Sequence, residues 1–273
     1  MSGILEVSGD WLALLEPADA AARSLELALV VAELLPDGPI VVHDLGSGTG
    51  SMMRWLAPVL PGPQTWFLHD WNADLTEQAI NHGRPFDRDN AQISVFGRSG
   101  NLADLSLDDV AGGSLVTASA LLDVLTSDEI HTIVAVCVAA HTPALLSLSV
   151  TGGVRLNPRD ELDTVFVNSF NAHQSRHANG RRQVGRHAVS IASRLFAEAG
   201  WQVRQSSTPW RLDHRQPGLL SEWFSGWIDA AVEQEPHLRE KADRYRQGRA
   251  AQIDRDELTA HVDHVDLLAW PRR

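Results

Sequence analysis

The sequence predicts an α/β fold, a mostly parallel sheet with helices on both faces, and three observations carry that prediction. A β-branched run leads at residues 41–50, VVHDLGSGTG, through an acid into three alternating glycines. A second apolar run ends in another acid, Asp70. Beyond it, short apolar runs alternate with stretches of helical periodicity through most of the chain.

Residues 1–16 read as a short apolar lead-in, and residues 17–35 as one helix whose apolar positions recur at helical spacing. Val41 and Val42 continue the run begun at Ile40, which suits a strand buried on both faces. Gly46, Gly48 and Gly50 then remove side chains where the backbone turns sharply and a ligand can approach it. Residues 51–57 have helical character and stop before Pro58, so the turn delivers a helix N-terminus towards that ligand. Residues 64–70 form a second strand, and the acid at its end can bind both hydroxyls of a ribose or cap the following helix. Residues 81–90, NHGRPFDRDN, are a surface loop.

A third strand is expected at 92–96 and a fourth at 114–119. Asp128 and Glu129 then open a helix that runs through Ala140. The fifth strand covers 144–150, where Gly152 and Gly153 break the run. A helix ending at 195–200, a sixth strand at 201–207 and a seventh at 257–264 complete the pattern.

The turn itself fits two cofactor classes. A dinucleotide fingerprint places glycine or alanine where this chain has Ser51, which disfavours a nicotinamide-dependent oxidoreductase without removing it. Glycines at every second residue, with Asp44 two places before the first, resemble motif I of class I S-adenosylmethionine-dependent methyltransferases. That resemblance implies a seven-stranded, mostly parallel Rossmann-like methyltransferase sheet with added helical cap segments, and S-adenosylmethionine as cofactor. It implies Asp44, Gly46, Ser47, Gly48 and Gly50 around the cofactor's amino-acid and ribose parts, Asp70 on the ribose, and Trp71 beside the adenine. It also implies Asn101 and Leu102 in the loop over the adenine, although the family commonly has Asp at the position of Asn101, and Ser119 where a loop passes under the cofactor.

The acceptor half is expected in segments that such a sheet does not need, residues 157–186 and 215–255, as cap insertions on a single domain spanning 1–273. In the first, a helix over 160–176, capped through Asn157 and Pro158, brings Phe166, Phe170, His173 and His177 onto one face as a lid over a small polar substrate. Phe170, Asn171 and Gln174 are candidate substrate ligands. His173 is the candidate general base for an acceptor that loses a proton during in-line methyl displacement, or it orients the substrate. Histidines four apart can also ligate a metal, with His187, His261 or His264 completing the set, but no matching carboxylate motif follows and the expectation is no metal. Arg176, Arg181, Arg182 and Arg186 are either an anion site or a solvated loop.

In the second segment a helical stripe from Leu219 to Val232 ends near Pro236, and a further helix runs over 237–251, packed on the sheet edge or against a second subunit. Trp210 and Arg211 offer a ring wall and an anion clamp, or an anchor for the returning loop. The stretch FNAHQ with STPWRL is similar to actinobacterial trans-aconitate-methyltransferase-like proteins.

Composition bounds the partners. A formal charge of −12 with Lys241 as the only lysine disfavours nucleic acid. One cysteine, Cys137, excludes an internal disulfide and multi-cysteine metal sites, and fits a reducing cytoplasm. No run reaches membrane-span length, and no secretory leader is recognisable at the N-terminus. The expectation is a cytoplasmic enzyme acting on a small molecule, with a homodimer open and a non-catalytic cofactor-binding regulator as the non-enzyme alternative.

Overall fold

The computed structural model describes residues 7–83, 85–178 and 180–272. Strands β1 (Ile40–Leu45), β2 (Gln64–Asp70), β3 (Ser94–Ser99), β4 (Leu115–Ser119) and β5 (Ala144–Asn157) pair in parallel. A small hairpin, β6 (His177–Ala178) with β7 (Arg181–Arg182), stands apart. β8 (Gln202–Ser207), β9 (Trp210–Leu212) and β10 (Thr259–Trp270) join the main sheet in antiparallel pairing. The eight-stranded sheet runs β3-β2-β1-β4-β5-β10-β8, with β9 also on β10. The expected seven strands become eight because residues 260–262 recruit Trp210–Leu212 as a short strand.

Ten α-helices surround the sheet among the described residues: α1 (Gly9–Ala22), α2 (Leu25–Leu34), α3 (Ser51–Leu56), α4 (Ala73–Asn81), α5 (Leu107–Val110), α6 (Ser127–Ala139), α7 (Asp163–Gln174), α8 (Ala188–Glu198), α9 (Pro217–Gln234) and α10 (Arg239–Asp254). One face of the sheet packs on α2 and α3 through Leu27, Val31, Met53, Leu56 and Trp66. The other packs on α6 and α8 through Ile130, Ile133, Ala192 and Phe196. A third core gathers α1, α7, α9 and α10 against β9 and β10. At its centre Trp227, 2% exposed, meets Phe166, Phe170, Trp223 and Phe224.

Local chemistry explains the element ends that shape the site. Gln64, buried at the start of β2, donates through Nε2 to Ala57 O and Leu60 O at 2.9 Å each, satisfying carbonyls at the end of α3. Its Oε1 accepts from Trp66 Nε1 at 2.8 Å, which lets the indole sit in the core without an unpaired donor. Thr126 and Glu129 form a reciprocal capping box that starts α6.

Several expectations shift. The lead-in over 1–16 is overturned from Gly9 onward, where Ser8 accepts from Trp11 N and opens α1; residues 1–6 lie outside the described residues. The single helix over 17–35 is two, because Ser24 caps α2 by accepting from Leu27 N and the chain turns at Arg23. Gly152 and Gly153 do not end β5, which continues to Asn157 opposite β10. The pairing shifts register between Val262 and His264, and Gly152 has φ +85, so the glycine marks a bulge within the strand. The helix expected over 160–176 starts at Asp163, with Leu162 at its N-cap and Asn157 still in β5.

α10 has a weak apolar pattern and is held instead by polar contacts. Arg249, fully buried, pairs with Asp163 and donates to Pro158 O at 2.6 Å, fastening α10 to the start of α7. No helix among the described residues is long and apolar enough to cross a membrane.

Candidate active site

β1 and β4 are neighbours, so the strand order reverses between them, and the carboxyl ends of parallel strands at such a point form a crevice. Here it is a cavity of about 280 Å3. Its lining includes Asp44, Gly46, Ser47, Gly48, Asp70, Trp71, Asn101, Leu102 and Ser119, every expected cofactor residue except Gly50. Gly50 sits behind the turn as the residue before α3, at φ +81.

The turn is built on β2. Gly46 N and Ser47 N both donate to His69 O, at 2.8 and 3.1 Å. Gly48 N donates to Asp70 Oδ2 at 2.9 Å, and Asn72 N to Asp70 Oδ1 at 2.9 Å. The same carboxylate therefore fixes the turn and lines the cavity. Gly48 has φ +51, and a Cβ there would lie 3.0 Å from Leu12 Cδ1 of α1. Beneath the turn, His43 Nδ1 and His69 Nε2 are 3.0 Å apart. Burial pushes both imidazoles down to about 4, so they join β1 to β2 as a neutral pair.

Asp44 is 1% exposed and its Oδ1 accepts from Thr117 Oγ1 at 2.7 Å. Burial pushes its pKa up to about 7, against the lowering effects of Thr117 and Arg23. Burial likewise raises Asp70, opposed by the N–H groups of Asn72 and Gly48. Because the folded value of Asp44 exceeds its ordinary 3.8, its contribution to stability is full at low pH and is lost as pH rises towards about 7. Asp44→Asn is therefore expected to melt at progressively higher temperature than the wild type as pH is raised from about 4 to about 8. A difference in melting temperature independent of pH would remove burial of this charge as a stability factor. His43 and His69 titrate in the opposite sense, so the comparison of the two proteins is the readout rather than the wild-type curve.

α1 and the turn after it supply what the sequence reading missed. Leu12, Leu15, Asp19 and Arg23 line the cavity, and Gly9 abuts Gln78 of α4, so α1 lies along its wall. Arg23 donates through Nη2 to Ser51 Oγ at 2.8 Å and Ser119 Oγ at 2.9 Å. Asp19 Oδ2 stands 3.7 Å from that nitrogen, while Asp19 Oδ1 accepts from Trp210 Nε1 at 3.0 Å. Burial pushes Asp19 up to about 6 and lowers Arg23. The cavity thus holds a desolvated cation against a carboxyl that is itself costly to ionise. The Ser24 cap that breaks the 17–35 run is the sequence signal that could have exposed Arg23.

Several buried polar atoms of lining residues have no hydrogen-bond partner among the described residues: Asp44 Oδ2, Ser47 Oγ and Arg23 Nε. Ala120, just after β4, has φ +51, a strained value for a residue with a Cβ, and also lines the cavity. Leu121, Val124 and Gln183 complete that wall.

The expected acceptor residues lie elsewhere. α7 turns Phe166 and Phe170 to Trp227 rather than to the cavity. Asn171 Nδ2 donates to Gly152 O at 2.9 Å, which explains the bulge: a Cβ at Gly152 would lie 2.7 Å from Asn171 Oδ1. His173 Nε2 lies 3.0 Å from Glu233 Oε2, and Gln174 packs beside Gly185. Trp210 is buried on His264 and reaches the cavity only through Asp19, while Arg211 is exposed on β9. None of these seven expected residues lines the cavity. Of the arginine cluster, Arg176 pairs with Glu233 at 2.9 Å and Arg181 with Glu129 at 2.7 Å, so carboxylates of this chain already occupy two of its members. The histidines are scattered, and among the described residues no three His, Cys, Asp or Glu side chains converge as metal ligands.

Neither a protein-family model nor a curated protein sequence matches the chain. Solved structures do match in shape. The YcgJ protein of Bacillus subtilis is 12% identical, with 91% of this chain and 98% of that chain covered and a TM-score of 0.52. The mycolic acid cyclopropane synthase CmaA1, solved in complex with SAH and CTAB, is 13% identical, with 95% and 94% covered and a TM-score of 0.50. A SAM-dependent methyltransferase from Methanosarcina mazei is 10% identical, with 89% and 96% covered and a TM-score of 0.50. At these identities the likeness is one of fold: the chain shares the helix-flanked, mostly parallel α/β sheet of proteins that include S-adenosylmethionine-dependent methyltransferases.

Proposed function

We propose that the protein transfers a methyl group from S-adenosylmethionine to a small organic acceptor. One observation carries the reading: a cavity at the strand-order reversal joins the glycine turn and Asp70 to buried groups with unmet polar atoms at Asp44, Ser47 and Arg23. Those groups suit a zwitterionic nucleoside. When bound, the cofactor supplies a methyl group made electrophilic by its sulfonium.

The chain's own residues bind and orient. Asp70, whose carboxylate is fixed by two backbone N–H groups, accepts from the ribose hydroxyls. Trp71 and Leu102 flank the base, and the Asn101 amide N–H donates to it, its Oδ1 being held by Ala103 N at 3.1 Å. Arg23 takes the carboxylate of the amino-acid part, adding a hydrogen-bonded anion to the Asp19 carboxyl that stands 3.7 Å away. Asp19 and Asp44 face the positive end, and a cation there favours their ionised forms. Ala120, Leu121, Val124 and Gln183, with Leu12 and Leu15 of α1, enclose the space left for an acceptor and exclude water from it. The helical additions at 157–186 and 215–255 belong to the same methyltransferase domain and support α1 from behind through the third core.

Calorimetric titration tests the first step. Binding of S-adenosylmethionine and S-adenosylhomocysteine is expected, and binding of NAD alone would replace this reading with an oxidoreductase. Transfer of labelled methyl groups into a metabolite extract tests the second, since a protein that binds the cofactor without transfer is a regulator.

A further inference from the structure

We infer that Asp266, on the strand furthest from Arg23 in the chain, is the positioning residue that aims Arg23 into the cofactor cavity. This rests on the methyl-transfer reading above for the identity of the ligand that Arg23 meets.

Asp266 is 1% exposed. It lies in β10 between the register-shifted pairs of β5, where Leu148 takes a left-handed φ of +55. That twist turns the Leu148 N–H out of the β ladder, and Asp266 Oδ1 accepts from it at 2.8 Å. The same oxygen accepts from Thr208 Oγ1 at 3.0 Å, beyond the end of β8. Oδ2 is committed to a single donor, Ser24 N, at 2.9 Å.

Ser24 N–H is the amide between Arg23 and the start of α2, a donor that no intrahelical carbonyl can satisfy. The bond therefore pins the joint between α1 and α2 to the middle of the sheet. Arg23 extends from that joint to Ser51 on α3 and Ser119 on β4. A guanidinium held by Nη2 at two serine hydroxyls, with Nη1 reaching Ser51 O at 3.5 Å, needs its Cα fixed to within a fraction of an ångström to keep its remaining N–H groups towards a ligand. Among the described residues Asp266 has no ion pair of its own, so its buried charge is retained at a cost that an apolar residue would avoid. Its negative charge also favours the protonated form of Arg23 across the joint.

The test compares two ligands of the full chain by calorimetry: S-adenosylhomocysteine, which carries the amino-acid carboxylate, and 5′-methylthioadenosine, which lacks it. Asp266→Asn keeps an oxygen for Leu148 N but puts an amide where Ser24 N needs an acceptor. It is expected to weaken S-adenosylhomocysteine about tenfold or more and to leave 5′-methylthioadenosine within about twofold. Ser24→Pro cuts the same bond from the other side and suits the backbone there, φ −75. It should reproduce the selective loss, and it serves if the first variant does not fold. Thr208→Val removes a bond to the other oxygen and should leave the ratio of the two affinities unchanged. Equal loss of both ligands in Asp266→Asn and Ser24→Pro, or no loss of either, overturns the positioning role. Failure of the wild type to bind either ligand overturns the methyl-transfer reading instead, and this inference with it.

Discussion

Gly48→Asp is expected to abolish binding of S-adenosylhomocysteine, lowering affinity by roughly a hundredfold or more while the protein stays folded. Gly48 holds φ +51, which costs an L-residue about 1–2 kcal/mol. Its Cβ would press to 3.0 Å from Leu12 Cδ1, so the Leu12 side chain of α1 has to give way by a few tenths of an ångström. The new carboxylate would also stand near Asp70, which Gly48 N approaches at 2.9 Å, and like charges there oppose ionisation of both. Calorimetry measures the affinity and circular dichroism the fold. An unchanged affinity would mean that the ligand does not contact this turn.

Trp227→Ala is expected to cost about 3–5 kcal/mol of stability, the range for deleting a fully buried large aromatic. The indole is 2% exposed, stacked on Trp223 at 5.7 Å between ring centres, and edged by Phe166 at 6.3 Å. Its removal leaves a void shared by α7 and α9, and urea unfolding measures the loss. S-adenosylhomocysteine affinity should fall by less than about threefold, because Trp227 does not line the cavity. A large loss of affinity at preserved stability would place the aromatic cluster in the ligand site and undo its assignment to packing.

That contrast marks how far the sequence carried. The glycine-turn wall of the cavity was legible because its chemistry is local: Asp44, the glycines and Asp70 sit at strand ends that their own neighbours define, and β2 spans the expected 64–70. Trp71, Asn101 and Ser119 followed from the resemblance to the methyltransferase motifs, and all three line the cavity. The opposite wall was not legible. Leu12, Leu15, Asp19 and Arg23 are ordinary helical residues until α1 is laid against α4 and β9, a tertiary fact with no local pattern. Phe170 and His173 lie away from the cavity for the converse reason. Spacing puts them near one another on a helix, but only the fold reveals that α9 supplies Trp227 and Glu233 to meet them. Gly152 and Gly153 misled because a glycine that serves a bulge reads in sequence like one that ends a strand.

β10 is last in chain order yet lies between β5 and β8. A chain emerging from the ribosome N-terminus first can pair β1 through β5 as they appear, since each finds its neighbour already present or next in line. β8 has no place on the sheet until residues 259–270 are available to bridge it to β5. The edge of β5 stays open through the synthesis of about a hundred residues, a long-range closure that slows folding and exposes an unpaired strand. The same late strand carries Asp266, so a nascent chain has a nearly complete sheet before its cavity can hold Arg23 in place. Assembly of the site is thereby tied to completion of the fold.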